Sequence, residues 1–371
     1  MSSSELPMLT WQVLGAAFLL SAALGALVQA TGFCTMGAVS DAVILGRWTR
    51  MRQWMLATGV ATLGFAAFSA SGVLTPVQTL YATPRWLWLS ALVGGAVFGL
   101  GMVLASGCIS RNLVRLGAGN LKSLVVALVT GVAAFATLKG LTAVWRVATV
   151  DRVAADMGTN ADLASVVARA GGIAPAVAAA VAAAAIAGPL LLWALASREA
   201  RSPRSLAAGL GVGLLVLAMW GVTGHLGHLA EHPETLQESW LATNSTRAEA
   251  FSFAAPTAYL LDWLLFFSDA SKRGTVGIVS VPGVVLGSAA VAVASGRFRW
   301  EGFADTADLA HHLVGASLMG IGGVMAMGCS IGQGVTGLST LSLASLVALP
   351  AMLAGATAGV KYQAWRVERM A

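Results

Sequence analysis

The residues in this sequence best suited to chemistry are its three cysteines, Cys34, Cys108 and Cys329. All three lie in short glycine-containing segments, namely 32–37, 106–111 and 327–334. One cysteine in an apolar chain is most often a small apolar filler. Three cysteines that all lie at breaks between apolar runs instead favour a shared site lined by thiols. Three thiols cannot all pair, and a bilayer-embedded thiol gains nothing structural from oxidation, so we expect free thiols.

The elements that must position these segments are membrane-spanning helices. Of the 371 residues, 57% are hydrophobic and 10% are charged, whereas roughly a quarter of a soluble domain is charged. Runs of at least ~19 apolar residues predict nine spans. These are 9–30, 54–72, 86–104, 123–145, 172–196, 205–225, 274–295, 309–327 and 341–360. Because the runs are apolar on all sides, the pattern predicts an all-α polytopic membrane protein and excludes a β-barrel.

Four apolar pieces are too short to cross a bilayer. They are 31–46, 105–118, 251–268 and 328–340, and the cysteines fall in three of them. We predict that these pieces are re-entrant half-helices, which are tolerated in a membrane where they line a cavity.

The sequence also contains an internal repeat with one fixed offset, the spacing between Cys108 and Cys329. Six small residues of the first copy recur in the second: Gly94, Gly99, Gly101, Ala105, Gly107 and Cys108 match Gly315, Gly320, Gly322, Ala326, Gly328 and Cys329. The same offset carries Arg52 onto Arg273 and the Cys34 segment onto the Ala255 segment. We therefore predict one membrane transport domain over 1–371, with repeat 1 at about 31–146, linker spans at about 170–227 and repeat 2 at about 251–360.

Loop charges predict how the two halves are oriented. The net charge of +6 comes from basic clusters at the ends of runs, which indicates membrane orientation rather than nucleic-acid binding. Basic loops at 47–52 and 198–204 and the basic tail are predicted in the cytoplasm, and acidic loops at 151–162 and 231–249 outside. With nine spans this requires inverted halves, as in secondary transporters, although Lys272 and Arg273 then lie outside. Residues 1–10 contain Glu5 and no Lys or Arg, so we expect no cleaved signal peptide.

Three motifs together resemble the YeeE/YedE sulfur-transport family: the Gly-Phe-Cys34 segment ending in Asp41, Ser106-Gly107-Cys108 and Met327-Gly328-Cys329. The resemblance covers nearly the whole chain. It implies thiosulfate uptake, without enzyme activity, by a multi-pass protein of the bacterial inner membrane. It also implies a constriction where the three thiols pass the substrate along by S–H hydrogen bonds. Some relatives carry a small sulfur-carrier domain, so we expect a separate cytoplasmic carrier protein as a partner here.

The residues around the thiols complete the predicted substrate site. The predicted set is Cys34, Asp41, Ser106, Gly107, Cys108, Arg111, Gly328, Cys329, Ser330 and Gln333. A dianion repels a thiolate, so we expect protonated thiols, which are weak donors and suit release as well as binding. Arg111 either attracts the anion at the cytoplasmic mouth or anchors the protein by the positive-inside rule.

Two other functions remain open at this point. A membrane enzyme that stores a cysteine persulfide would need an activated thiol and a base, and no His or Lys adjoins any cysteine. A transporter of a selenium compound or another oxyanion would use the same site. The spacing of His225, His228 and His232 could bind a metal, but interfacial residues are the favoured interpretation. No cofactor or metal is predicted, and the sequence has no Walker, His-Glu-x-x-His or Gly-x-Ser-x-Gly motif.

Overall fold

The computed structural model describes residues 6–233, 235–269 and 271–370, and most of them are helical. The α-helices in these residues are α1 Leu6–Thr31, α2 Thr35–Leu45, α3 Thr49–Ala70, α4 Trp88–Leu104, α5 Ile109–Gly117, α6 Leu121–Lys139, α7 Leu141–Ala148, α8 Leu163–Gly171, α9 Pro175–Leu195, α10 Pro203–Gly221, α11 Ala254–Leu265, α12 Val276–Ala294, α13 Thr306–Met325 and α14 Leu343–Met370. Two π-helices occupy Val222–Leu226 and Gly332–Gly337, and two 3-10 helices occupy Pro76–Gln78 and Val150–Arg152. Two antiparallel pairs of two-residue strands lie in loops: β1 Arg85–Trp86 with β2 Ala155–Asp156, and β3 His228–Leu229 with β4 Ser239–Trp240. Glu5 and Glu234, which entered the charge argument, lie outside the described residues.

The long helices confirm an all-α polytopic membrane protein. Within the described residues, nine helices have 17 or more residues, and each overlaps one predicted span. In the part of the chain that the structure describes, seven stretches are long and apolar enough to cross a membrane. The long helices outside those stretches, α3 and α13, carry polar residues near their starts, such as Arg50 and Asp308. Large apolar side chains face outward, and Leu19 and Leu192 are 68% and 76% exposed, which suits a lipid solvent.

The four predicted short pieces are short helices. They are α2, α5, α11 and the helical stretch 330–339, whose middle is the second π-helix. Each is shorter than the ~20 residues needed to span a bilayer core. Each follows a break after a preceding helix or a buried loop.

Equivalent helices of the two halves pack against each other and run in opposite directions. A Cβ atom built on Gly94 of α4 would lie 2.5 Å from the Ala326 nitrogen, just beyond α13. A Cβ built on Gly101, farther along α4, would lie 2.7 Å from the Gly315 oxygen, earlier in α13. Two equivalent antiparallel helices that meet through equivalent glycines are related by a two-fold axis between them, so the halves are inverted.

The other contacts follow the same symmetry. Helix α6 packs on α13 as its counterpart α14 packs on α4, and α11 packs on α6 as α2 packs on α14. The sequence offset is less uniform than predicted. The first half-helix of each half begins after Cys34 or Phe253, so the equivalent of Cys34 is Phe253 and not Ala255, which lies two positions later. Arg52 lies inside α3, whereas Arg273 precedes α12, so these two arginines are not equivalent.

Basic residues collect on one face of the bundle. Gly274 lies near Leu14 and Gly283 lies near Ser21, which shows that α1 and α12 run parallel. The C-termini of both helices therefore lie at this face. The Thr49 hydroxyl donates to the Glu199 carboxylate at 2.8 Å, and this bond connects the start of α3 to the loop after α9 at the same face. We call it the arginine-rich face, and its residues include Arg47, Arg50, Arg52, Arg198, Arg201, Arg204, Arg297, Arg299, Lys361 and Arg366. Lys272 and Arg273 lie at the opposite face, beside the start of α12.

Candidate functional site

All three cysteines occupy the residue just before a short helix. Cys34 is the N-cap of α2, and its sulfur accepts the Gly37 N–H at 3.4 Å. The Cys329 sulfur accepts the Gly332 N–H at 3.4 Å in the same way. Cys108 is the N-cap of α5, and its sulfur lies 3.3 Å from the Ser110 hydroxyl. Where the sulfur accepts a backbone N–H, the S–H of the thiol stays available as a donor.

The three thiols are close neighbours, with Cys108 in the middle. The Thr35 hydroxyl, next to Cys34, lies 3.9 Å from the Cys108 sulfur. Cys108 is near enough to interact electrostatically with both Cys34 and Cys329. Cys108 and Cys329 are buried, Cys34 is half-buried, and all three thiols are free. The sequence-predicted thiols therefore come together from both halves of the chain.

The fourth half-helix begins at the same place but carries no thiol. Phe253 is the N-cap of α11, it is fully buried, and its ring stacks on Phe251. The backbone N–H of Phe253 interacts with the Cys329 sulfur. The second half thus has a phenylalanine at the position where the first half has Cys34.

The two Gly-Cys loops share one backbone motif. After α4, Ser106 adopts a left-handed conformation with φ 56°, and the Gly107 N–H bonds the Met102 carbonyl at 2.8 Å. After α13, Met327 has φ 58°, and the Gly328 N–H bonds the Gly323 carbonyl at 2.8 Å. This is the Schellman motif that ends a helix and turns the chain. It lets each cysteine begin a new helix immediately after the preceding one ends.

A side-chain amide braces each of these loops. The Asn112 amide donates to the Gly107 carbonyl at 2.8 Å and accepts the Ser123 hydroxyl at 2.9 Å. The Gln333 amide, at the equivalent position of the second repeat, donates to the Ala326 carbonyl and accepts the Ser345 hydroxyl. Ser345 lies one position beyond the equivalent of Ser123, so one extra residue lies between Gln333 and Ser345, in a segment that contains most of the π-helix. A π-helix is the usual way to fit one added residue into a helix.

Two polar side chains of the predicted site have unused hydrogen-bonding atoms. Arg111 Nη1 and Ser330 Oγ are buried, and neither has a hydrogen-bond partner among the described residues. The Arg111 side chain packs over Gly107, where a Cβ atom would lie 3.4 Å from its Cγ. Arg111 is also an electrostatic neighbour of Cys34 and Cys108. Buried polar atoms normally find partners, so both atoms are suited to a ligand.

Asp41 lies at a polar cavity on the arginine-rich face. The cavity measures about 520 Å³, and Asp41, Arg47, Arg50 and Arg204 are among its lining residues. Asp41 pairs with Arg50 at 3.4 Å. Arg50 also reaches the first turn of α2, where its guanidinium would lie 2.6 Å from a Cβ on Gly37. The cavity therefore ends beside the helix that Cys34 caps.

Sequence reasoning missed a set of polar residues near Cys329, on the side away from the arginine-rich face. The Tyr81 hydroxyl donates to the Gly332 carbonyl, and Thr58 donates to the Gly334 carbonyl at 2.9 Å. Glu249 is buried nearby, and its carboxylate accepts the Ser245 N–H at 2.6 Å. Burial raises the pKa of Glu249 and of Tyr81, and Cys329 and Glu249 raise that of Tyr81 further. Tyr81 and Glu249 lie in irregular loops, where no apolar period or motif singles them out.

Comparisons with known proteins agree on one family. The model of the family described as sulphur transport matches residues 30–358. The thiosulfate transporter TsuA of Escherichia coli strain K12 is 26% identical over 343 residues, 90% of each chain. The thiosulfate transporter TsuA of Spirochaeta thermophila is 29% identical over 287 residues, 74% of this chain and 78% of that relative. The probable transporter YedE of Escherichia coli is 30% identical over 95 residues, 26% of this chain and 22% of that relative. The family match includes all three cysteines and all four half-helices.

Proposed function

Because the chain belongs to the sulphur transport family, we propose that it carries thiosulfate, or a closely related inorganic sulfur anion, across the bacterial inner membrane. Two relatives named as thiosulfate transporters support this cargo, and they support transport rather than catalysis. The positive-inside rule supports a cytoplasmic location for the arginine-rich face. Thiosulfate would then enter from the side of Tyr81 and leave beside Asp41 and Arg50.

The observation that carries the proposal is the arrangement of three thiols at half-helix N-termini. A helix N-terminus carries roughly half a positive charge, and its free N–H groups favour anions. Each thiol adds one weak donor at that position. Weak donors in series suit conduction, because a site that binds an anion tightly also releases it slowly. We propose the sequence Cys329, Cys108, Cys34 for inward passage.

The neighbouring residues have proposed roles that follow from their positions. Arg111 and Ser330 offer donors to the anion oxygens beside Cys108 and Cys329. Ser106, Gly107, Gly328 and Gln333 shape the two loops, and Asp41 holds Arg50 at the exit. We propose that a separate small cytoplasmic sulfur-carrier protein takes up the sulfur at the arginine-rich face.

Growth on limiting thiosulfate tests the thiol path. We expect Cys108→Ala or Cys329→Ala to abolish the growth of a sulfur auxotroph, because each variant removes one donor from the series. The matched control is Ser21→Ala, which changes a small buried polar residue of α1 whose hydroxyl bonds its own helix at Ala17. Growth of both cysteine variants at the control's rate, with equal amounts of protein in the membrane, would contradict the proposal.

Uptake into proteoliposomes distinguishes the cargo and the mechanism. Labelled thiosulfate uptake should be reduced by unlabelled thiosulfate more than by selenium oxyanions or sulfate. Mass spectrometry of the protein after exposure to thiosulfate should give the unmodified mass. A stoichiometric gain of one sulfur atom would instead support a persulfide-forming enzyme.

A further inference from the structure

Two apolar cavities lie next to each other along α12, on the outside of the bundle. The first measures about 800 Å³ and lies among α1, α11 and α12. The second measures about 370 Å³ and lies among α5, α6, α11 and α12. Leu260 of α11 and Pro282 of α12 line both cavities, so the two are adjacent. We call the two cavities together the α12 trough.

The trough exists because two neighbouring helices are too short to cover α12. Helix α11 has 12 residues and α5 has 9, which gives lengths of about 18 Å and 14 Å against a core of ~30 Å. Leu264 and Leu286, which line the trough, remain 57% and 55% exposed. An apolar space open to the bilayer is filled by hydrocarbon rather than by water.

The length of the trough matches one leaflet. Its lining along α12 runs from Gly274, just before the helix, to Leu286. That distance corresponds to about 18 Å of helix, and one leaflet contributes roughly 15 Å of hydrocarbon. The trough starts at the face opposite the arginine-rich face, so an acyl chain of that leaflet fits along it.

The mouth of the trough carries an uncompensated cation. Arg273 lines the mouth and is exposed, and it has no ion-pair or hydrogen-bond partner in the part of the chain that the structure describes. The adjacent Lys272 is compensated by Asp262, whose carboxylate it contacts at 2.5 Å. Trp11 and Trp263 also line the mouth, at the level where aromatic side chains meet lipid headgroups.

We propose that the α12 trough binds one anionic glycerophospholipid, with its phosphate on Arg273 and one acyl chain along α12. The lipid comes from the leaflet at the face opposite the arginine-rich face. Its chain packs against Leu260 and supports α11.

Native mass spectrometry of the full-length protein tests the site. The detergent-purified protein is titrated with phosphatidylglycerol or with phosphatidylcholine, and retained lipid is counted per chain. We expect one phosphatidylglycerol per chain to be retained in preference to phosphatidylcholine. Arg273→Ala should weaken that retention about fivefold, as expected for the loss of one cation near an anionic lipid. The control Arg152→Ala removes another exposed arginine from the same face and should not change retention.

A second variant tests the trough itself. Val279 lines the first cavity, and Val279→Trp should fill it and prevent retention while Arg273 is unchanged. Equal retention by the wild type, Arg273→Ala and Arg152→Ala would overturn the proposal. So would full retention by a folded Val279→Trp protein, or equal retention of the two lipids. Lipid retention by the Arg273 and Val279 variants does not depend on the transported anion, so this test is independent of the proposed function.

Discussion

Sulfur is an uncommon choice for a helix N-cap. Oxygen side chains of Ser, Thr, Asp and Asn are preferred there because they accept backbone N–H groups strongly. The 3.4 Å contacts at Cys34 and Cys329 are weaker caps, but they hold the sulfur at the point where the helix attracts anions. A weaker cap is tolerable if the same thiol must also donate a weak hydrogen bond to a passing ion.

Arg111 provides a prediction at the scale of one residue. Arg111→Gln should reduce thiosulfate uptake several-fold at limiting substrate and much less at saturating substrate, because a cation beside the path mainly raises the local anion concentration. Initial uptake rates in proteoliposomes at several thiosulfate concentrations measure this. Arg111→Lys should recover part of the loss, since it keeps the charge without the planar fork.

The control for Arg111 separates attraction from membrane anchoring. Arg198 is an exposed arginine in a loop of the arginine-rich face, and Arg198→Gln should leave uptake unchanged at all concentrations. If Arg111→Gln and Arg198→Gln reduced the uptake rate equally, and also reduced the amount of protein in the membrane equally, Arg111 would act as a membrane anchor.

The thiols were predictable as individual residues, but their surroundings were not. A cysteine beside a glycine at a break in an apolar run can be recognised from the sequence alone. The repeat that relates Cys108 to Cys329 can be recognised in the same way. Phe253 looks like one more apolar residue, and only the packing of α11 makes it the counterpart of Cys34. Tyr81 approaches Cys329, with Glu249 beside it, through loop contacts that no local pattern encodes.

At the scale of elements, each half ends a long helix and begins a half-helix within a few residues. The Schellman motif achieves this with Ser106 and Met327 in the left-handed region, where non-glycine residues cost about 1–2 kcal/mol. Breaks of this kind are maintained only when the surrounding structure holds them. The amides of Asn112 and Gln333 provide that support.

Ser106 allows a test of this backbone geometry. Ser106→Val should be less stable than Ser106→Gly by at least about 1–2 kcal/mol, because a β-branched side chain is strained at positive φ and glycine is not. Ser106→Gly is the matched control and should keep or slightly raise stability. The thermal unfolding midpoints of the purified proteins measure both effects. A valine variant as stable as the glycine variant would show that this position is not held in the left-handed region.

The lengths of apolar runs predicted the short helices, since runs of 13 to 18 residues fall short of the ~20 residues that cross a bilayer core. The π-helix at Gly332–Gly337 was not predictable in this way. The inserted residue lies after Gln333, so the offset that aligns Cys108 with Cys329 and Asn112 with Gln333 gives no sign of it. It becomes apparent only when Ser123 and Ser345 are found to make equivalent hydrogen bonds.

For the whole molecule, the glycine contact between α4 and α13 holds the two halves together. Gly322→Ala places a Cβ atom 2.5 Å from the Phe98 nitrogen, so the helices must separate. We expect a loss of about 1–3 kcal/mol, as for other overpacked sites. Gly188→Ala, in α9 with nothing within 4 Å, should instead gain up to about 1 kcal/mol from helix propensity. Thermal unfolding in detergent compares the two, and similar midpoints would contradict this account of the interface.

The membrane potential constrains how the whole protein works. Moving a dianion inward against 100 mV costs about 4.6 kcal/mol, from ~2.3 kcal/mol per charge. A passive path therefore cannot concentrate thiosulfate. Net uptake requires rapid consumption in the cytoplasm, a coupled cation or a partner that removes the sulfur.

The antiparallel contact of α4 and α13 also couples the two Gly-Cys loops mechanically. The break after each helix lies beside the middle of the other helix, Ala105 near Gly315 and Ala326 near Gly94. Because a two-fold axis relates the two helices, sliding one along the other would move the two breaks by equal distances in opposite directions. A displacement of the Cys108 loop would therefore be matched by an equal displacement of the Cys329 loop.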